Sequence, residues 1–294
     1  MDKRGWVGVF ERLVPGALRR AVPVPLKEWV LDSLASRAAP PAPHVLEREH
    51  LARAEYDRLW NEAFGARPPE SRNYFETHRE RFYELFNALA HYFPDRTASF
   101  RVLNVGVSEF DSFYRKLYPN MRLATFDRPV ADNGADARWG REVAGSERHY
   151  NGNLNTELIG PEWGEPPLGT FDLVVCTEVI EHLVLNPMEL IQELLSLLEP
   201  QGLLYLTTPN FYRRENLDKI ARRENPQAAY PRRGENWDAH HHFRELTMGE
   251  LEGYTAMAGG RVVDRYFSRC WDFAQPPDLP AEERSNLVLV LARA

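Results

Sequence analysis

The chain has 294 residues, 43% of them hydrophobic and 12% aromatic, enough to bury a sizeable core and too apolar for a disordered segment. A formal charge of −7 argues against binding polyanions over the whole surface, although a local basic patch stays open. Two cysteines, Cys176 and Cys270, supply neither a disulfide framework nor a thiolate metal cluster. No apolar run reaches the ~18 residues of a membrane span and the start lacks a signal-peptide core, so the expected compartment is a reducing cytoplasm.

Residues 1–38 interleave Trp6, Val7, Phe10, Leu13, Trp29 and Leu34 with Arg12, Arg19, Arg20, Lys27 and Arg37, and carry a net charge of +3. Such short basic amphipathic helices either dock on their own domain or a second subunit, or lie peripherally on the inner face of a membrane. "APPAPH" at 39–44 reads as a stiff linker. The expected organisation is therefore a helical extension over 1–45 and one domain over 46–294.

From residue 72 the pattern is regular. "NYFETHRERFYELFNALAHYF" puts Phe75, Phe82, Leu85, Phe86 and Leu89 on one helical stripe. A strand is expected at 101–105, helical character through Phe110, Phe113, Tyr114 and Leu117, and a strand at 122–127. "FDLVVCTE" at 171–178 is the uninterrupted apolar run of a central parallel strand. A helix follows with Asn186 as N-cap and Pro187 at its first position, and Pro200 and Gly202 are expected to stop it before a strand at 203–208. Thr247 and Glu250 form a capping box for a helix ending at Gly259-Gly260, and "RVVDRYF" and "NLVLVLARA" are late strands. The alternation predicts an α/β, Rossmann-like, doubly wound sheet with ligands at the carboxyl ends of its strands.

The turn after the first strand, Gly106-Val107-Ser108-Glu109-Phe110, leads into a helix, and Asp127 ends the second strand 21 residues after Gly106. That is close to the spacing at which a carboxylate accepts hydrogen bonds from ribose hydroxyls.

Taken together, "VLNVGVSEF", "ATFD", "YNGNLN", "FDLVVCTEVIEHL" and "GLLYLTTPN" resemble the class I S-adenosylmethionine (SAM)-dependent methyltransferases from about residue 72 to the end. The resemblance implies a seven-stranded sheet, mostly parallel with its last strand antiparallel, and SAM as cofactor. Asn104, Gly106, Ser108, Asp127, Asn153 and Glu178 are the positions it places at the cofactor. The chain departs from the family by carrying Asn104 where an acid is usual and Ser108 and Phe110 where glycines are usual. Ser108 would then turn at a conformational cost, Phe110 would crowd the cofactor unless it packs into the helix interface, and Glu109 or Asp111 is left to replace the missing charge.

Glu178, Glu181 and His182 stand at i, i+3 and i+4 and would share one face if a helix began there. "DAHHHFREL" adds His240, His241 and His242. This layout resembles metal-dependent O-methyltransferases, including the small-RNA 2′-O-methyltransferases, and also methyltransferases of quinone and sugar pathways. The first resemblance implies Mg²⁺ or Mn²⁺ on Glu178, Glu181, His182 and His242, with Glu178, His182 or His241 serving the proton transfer. The other reading has no metal, Glu178 touching only the cofactor and His182 only packing.

Residues 211–246 read as an insertion for acceptor recognition, with Tyr212, Arg213, Arg214 and Trp237 as its contacts and further arginine pairs at 222–223 and 232–233. Arginine pairs suit phosphate or carboxylate, and aromatic faces suit sugars or bases. The expected function is O-methylation of a hydroxyl on an anionic sugar, glycan or related small molecule. An RNA 3′-end acceptor and a non-catalytic interaction protein are the alternatives. DNA is not an expected partner.

Overall fold

The computed structural model describes residues 48–66, 69–128, 145–227, 229, 241–271, 276 and 278–294, all within the compact unit Val45–Ala294. The readings placed on residues 1–45, and those on Trp237, His240 and the arginine pair at 232–233, lie outside the described residues.

Among the described residues two helices precede the sheet. α1 (Arg53–Phe64) buries Tyr56, Trp60 and Phe64, spaced four apart as one helical face requires. α2 (Pro69–Tyr92) carries the expected apolar stripe, with Phe75, Phe82, Leu85, Phe86 and Leu89 all buried. Then follow β1 (Arg101–Val105), a 3₁₀ turn (Glu109–Phe113) running into α3 (Tyr114–Leu117), β2 (Arg122–Asp127) and β3 (Arg148–Asn151). The second half comprises β4 (Phe171–Thr177), a 3₁₀ turn (Ile180–His182), α4 (Pro187–Ser196), β5 (Leu198–Pro209), α5 (Arg214–Ala221), α6 (Met248–Met257), β6 (Gly260–Ser268) and β7 (Asn286–Arg293).

Among the described residues seven strands form one sheet in the order β3-β2-β1-β4-β5-β7-β6. β3 to β5 pair in parallel, and β7 runs antiparallel to both its neighbours. This is the expected doubly wound architecture. Successive residues of the central strands serve opposite faces. Val102, Leu123, Leu173 and Val175 join the aromatic residues of α1 and α2, while Leu103, Val105, Val174, Cys176 and Leu206 join Leu190, Ile191 and Leu194 of α4 and Leu251 of α6. Each such side chain is worth roughly 1.5–3 kcal/mol when fully buried, so covering both faces is what demands an unbroken apolar strand.

Local signals fared well at helix starts. Asn186 accepts the amide of Met188 at 3.1 Å, and Thr247 with Glu250 forms the reciprocal capping box. Pro200 and Gly202, however, do not stop α4. That helix already ends at Ser196, and residues 198–202 belong to β5, where Leu198 pairs with Phe171 before the register shifts. Gly202 lies against the Phe171 carbonyl, leaving no room for a side chain at this irregularity. The strand order places the switch point between β1 and β4, so the carboxyl ends of β1, β2, β3 and β4 open onto one edge.

Candidate active site

At that edge the chain leaves β1 through Gly106, whose φ of 86° suits glycine and whose absent Cβ would stand 2.9 Å from the Val179 side chain. Its amide donates to the Phe126 carbonyl at 2.9 Å, tying the turn to β2. Ser108, by contrast, sits in extended backbone at φ −140°, so the conformational cost expected of a serine there does not arise. Phe110 is fully buried and stacks on Trp60 at 5.6 Å, turned away from the edge into the aromatic cluster of α1 and α2. Neither departure from the glycine pattern obstructs the cradle.

Beneath the turn lies Asp111, 1% exposed. It accepts the Asn104 amide at 2.9 Å, the Ser108 N–H at 3.1 Å and the Ser108 hydroxyl at 3.1 Å. Burial pushes its carboxyl up to about 7 against those three bonds. Asn104 and Asp111 thus brace the turn from below, and Asn104 also donates to the Gly106 carbonyl at 3.0 Å.

Asp127 accepts the Val107 amide at 3.1 Å and the Arg128 amide at 2.7 Å, which fixes its carboxylate between the ends of β1 and β2. Burial raises its carboxyl while these amides oppose the rise. Asn153 is exposed and its side-chain oxygen accepts the Asn155 amide at 3.0 Å, the geometry of an Asx turn. Positive φ at Gly106 and a carboxylate at Asp127 that the Val107 amide fixes in place fit a nucleoside cofactor with a polar tail.

After β4 the chain does not form the helix that would have aligned Glu178, Glu181 and His182. Glu178 takes φ 56° and only the 3₁₀ turn Ile180–His182 follows, so Glu178 parts from Glu181 and His182, which stay together at 3.8 Å. The Glu178 Oε1 accepts Thr207 and Asn286, each at 2.7 Å. Glu181 is 1% exposed, its Oε2 accepts Thr208 at 2.9 Å, and its buried Oε1 has no hydrogen-bond partner. Burial first, and Glu178 next, hold its carboxyl well above the ordinary range.

Segment 241–246 is drawn onto this turn by the Phe243 amide, which donates to the Glu181 carbonyl at 2.8 Å. His182 and His242 then meet edge to face with ring centroids 4.8 Å apart. His182 Nδ1 pairs with the His241 carbonyl at 2.9 Å and His242 Nδ1 with Glu245 at 3.1 Å. Each Nδ1 donates its proton there, which in the neutral imidazole puts the lone pair on Nε2. One ligand atom from each of Glu181, His182 and His242 lies within 4.8 Å of the others. Two oriented imidazoles and an orphaned carboxylate oxygen fit a divalent cation. Glu178 is outside that triad, and His241 contributes its carbonyl while its ring packs on Phe243 at 4.8 Å.

These residues line a cavity of about 380 Å³ with Arg81, Pro209, Arg213, Trp271 and Asn286. Sequence reasoning missed Arg81, which lies beside Phe82 on α2 where solvent is the ordinary destination. Three of the arginines it did single out are engaged internally. Arg213 pairs with Glu245, Arg214 with Glu283 at 2.5 Å, and Arg222 with Glu224 at 3.0 Å. Tyr212 is about half exposed, its ring against Phe211.

Residues 75–251 match a family model described as a methyltransferase domain. No curated protein matches the chain. Among solved structures it is similar to an O-methyltransferase family 2 protein from Planctomyces limnophilus in complex with apigenin, at 15% identity over 83% of this chain and 68% of that one, with a TM-score of 0.43. It is also similar to 1,6-didemethyltoxoflavin-N1-methyltransferase from Burkholderia thailandensis, at 16% identity over 87% and 93% of the two chains, with a TM-score of 0.45. A TehB-like SAM-dependent methyltransferase from Corynebacterium glutamicum matches at 14% identity over 78% of this chain and all of that one, with a TM-score of 0.42.

Proposed function

The chain belongs to the methyltransferase-domain family and is a SAM-dependent methyltransferase, and from that premise we propose that it methylates a hydroxyl of a small molecule, a sugar or glycan above all, with help from a divalent cation. The observation that carries this reading is the triad of Glu181, His182 and His242, with each imidazole oriented through its Nδ1. An amine or carbon acceptor has less need of such a site, since a hydroxyl is the group whose proton must be loosened.

Gly106 and Asp127 would hold the cofactor, with the Val107 amide positioning Asp127, and the cofactor supplies a methyl already activated on a sulfonium. Glu181, His182 and His242 would hold the cation, which lowers the pKa of a bound hydroxyl. Glu178 is left to the proton: Thr207 and Asn286 saturate its Oε1, and its second oxygen remains as an acceptor at the rim of the same cavity. The walls supplied by Trp271 and Pro209 exclude water and orient the acceptor, which is most of what transfer from an activated donor requires.

The test is transfer of labelled methyl from SAM to a panel of hydroxyl, amine and carbon acceptors, with metal-stripped protein and after Mn²⁺ or Mg²⁺ is returned. Transfer to a hydroxyl that chelation removes and metal restores is the expected outcome. Transfer indifferent to chelation would overturn the metal, and transfer to amines alone would overturn the hydroxyl.

A further inference from the structure

Among the described residues Arg81 makes no hydrogen bond and no ion pair, yet it lines the cavity just described. Its guanidinium lies over the rings of Phe82, at 5.0 Å, and Trp271, at 5.6 Å. Contact of this kind restrains the group without using its N–H donors, and a guanidinium can offer these to a planar anion through two parallel bonds.

None of the carboxylates lining the cavity bonds Arg81, and each is engaged elsewhere through at least one oxygen. Glu178 receives Thr207 and Asn286, Glu181 receives Thr208, and Glu215 faces Arg213 at 3.9 Å. Arg213, the other cation of the cavity wall, is neutralised by buried Glu245. Arg81 is therefore the arginine there with no carboxylate bonded to it, although its charge reaches Glu181 and Asp111 and opposes the rise of both carboxyls. Its cavity is lined by the Glu181, His182 and His242 side of the edge and not by Gly106, Val107 or Asp127. At about 380 Å³ it suits a monosaccharide-sized ligand.

Building on the acceptor-site reading above, we propose that Arg81 anchors an anionic group of the acceptor, so that the substrate class is a hydroxyl compound bearing a carboxylate or phosphate near the methylated oxygen. Such a group would place the hydroxyl by a two-point hold, with the anion on Arg81 and the oxygen at the triad. A neutral sugar offers the second point only and should bind correspondingly less well.

Calorimetry on the full chain, saturated with S-adenosylhomocysteine and Mn²⁺, tests this with three probes: methyl glucuronide, methyl 6-phosphoglucoside and neutral methyl glucoside. At least one anionic probe should bind about tenfold or more tighter than the neutral one, and the difference should vanish in Arg81→Met and survive in part in Arg81→Lys. The two anionic arms tell a carboxylate from a phosphate site. S-adenosylhomocysteine affinity, unchanged in both variants, shows that they are folded and that Arg81 does not serve the cofactor. The proposal is overturned if the wild type shows no preference for an anion, if the preference survives Arg81→Met, or if that variant loses S-adenosylhomocysteine affinity while keeping its thermal midpoint. A wild type that binds S-adenosylhomocysteine and methylates a neutral hydroxyl without anion preference loses this inference and keeps the proposed function.

Discussion

The Asn104 amide donates to the Asp111 carboxylate at 2.9 Å beneath the turn that leaves β1, so the residue standing in place of the family's acid is tied to an acid seven positions on. This pair supports the cradle without facing it. Asp111 also accepts both polar groups of Ser108, which explains how a serine replaces a glycine at no backbone cost.

A pH dependence of stability follows from Asp111. Its carboxyl rises from an ordinary 3.8 to about 7 on folding because it is buried. Between those values the folded chain holds a proton that the unfolded chain has lost, so this contribution is complete below the lower value and is lost as pH rises through the upper one. The full effect is at most roughly 4 kcal/mol. The thermal midpoint of the wild type should therefore decline more steeply from about pH 4 to about pH 7 than that of Asp111→Asn, which has no proton to lose. Parallel profiles would mean that the three donors keep Asp111 ionised throughout.

Gly106→Ala should cost cofactor affinity before it costs the fold. A Cβ there meets Val179 at 2.9 Å and forces an alanine to φ 86°, a strain of roughly 1–3 kcal/mol. S-adenosylhomocysteine affinity is expected to fall about tenfold or more, with circular dichroism unchanged. Undiminished affinity would move the cofactor away from this turn.

Strand and helix order was legible in the sequence because both sheet faces are covered: Val174, Val175 and Cys176 serve opposite clusters in turn, and the resulting apolar run has few other readings. Helix starts were legible because caps are local, as Asn186 and Thr247 illustrate. The site was less so, since its spacing argument assumed a helix at Glu178. A positive φ and one 3₁₀ turn send Glu178 toward Asn286, which is 108 residues away in sequence and could not have been paired with it by pattern. The internal partners of the arginine pairs were out of reach for the same reason. Glu245 and Glu283, which engage Arg213 and Arg214, are brought to them only by the tertiary fold.

Removing either end of the metal triad should separate metal from cofactor. Glu181→Gln and His242→Ala are each expected to weaken Mn²⁺ binding about 100-fold or more while leaving S-adenosylhomocysteine affinity near that of the wild type, because Gly106 and Asp127 lie on other strand ends. Glu178→Gln should retain the metal and lose turnover, since Glu178 is outside the triad. Isothermal titration with each ligand distinguishes the cases. Loss of metal in Glu178→Gln alone would exchange the roles assigned to the two glutamates.

Glu245 ties stability to the site. Its buried carboxylate receives Arg213, the Asn216 amide at 2.7 Å and His242 Nδ1 at 3.1 Å, and these partners hold its carboxyl at about 2 in spite of burial. Glu245→Ala should therefore do two things at once. It leaves Arg213 with the longer contact to Glu215 and Asn216 with the Phe211 carbonyl alone, at roughly 3 kcal/mol, the low end of the buried-pair range because Arg213 also keeps some exposure to water. It also frees the His242 ring from the bond that orients it, which should weaken Mn²⁺ binding about 10- to 100-fold. Arg213→Met separates this account from the sequence expectation that Arg213 binds the acceptor. If the arginine serves Glu245, the variant loses stability in urea and its acceptor KM changes little; if it serves the acceptor, KM rises and the unfolding midpoint stays where it was.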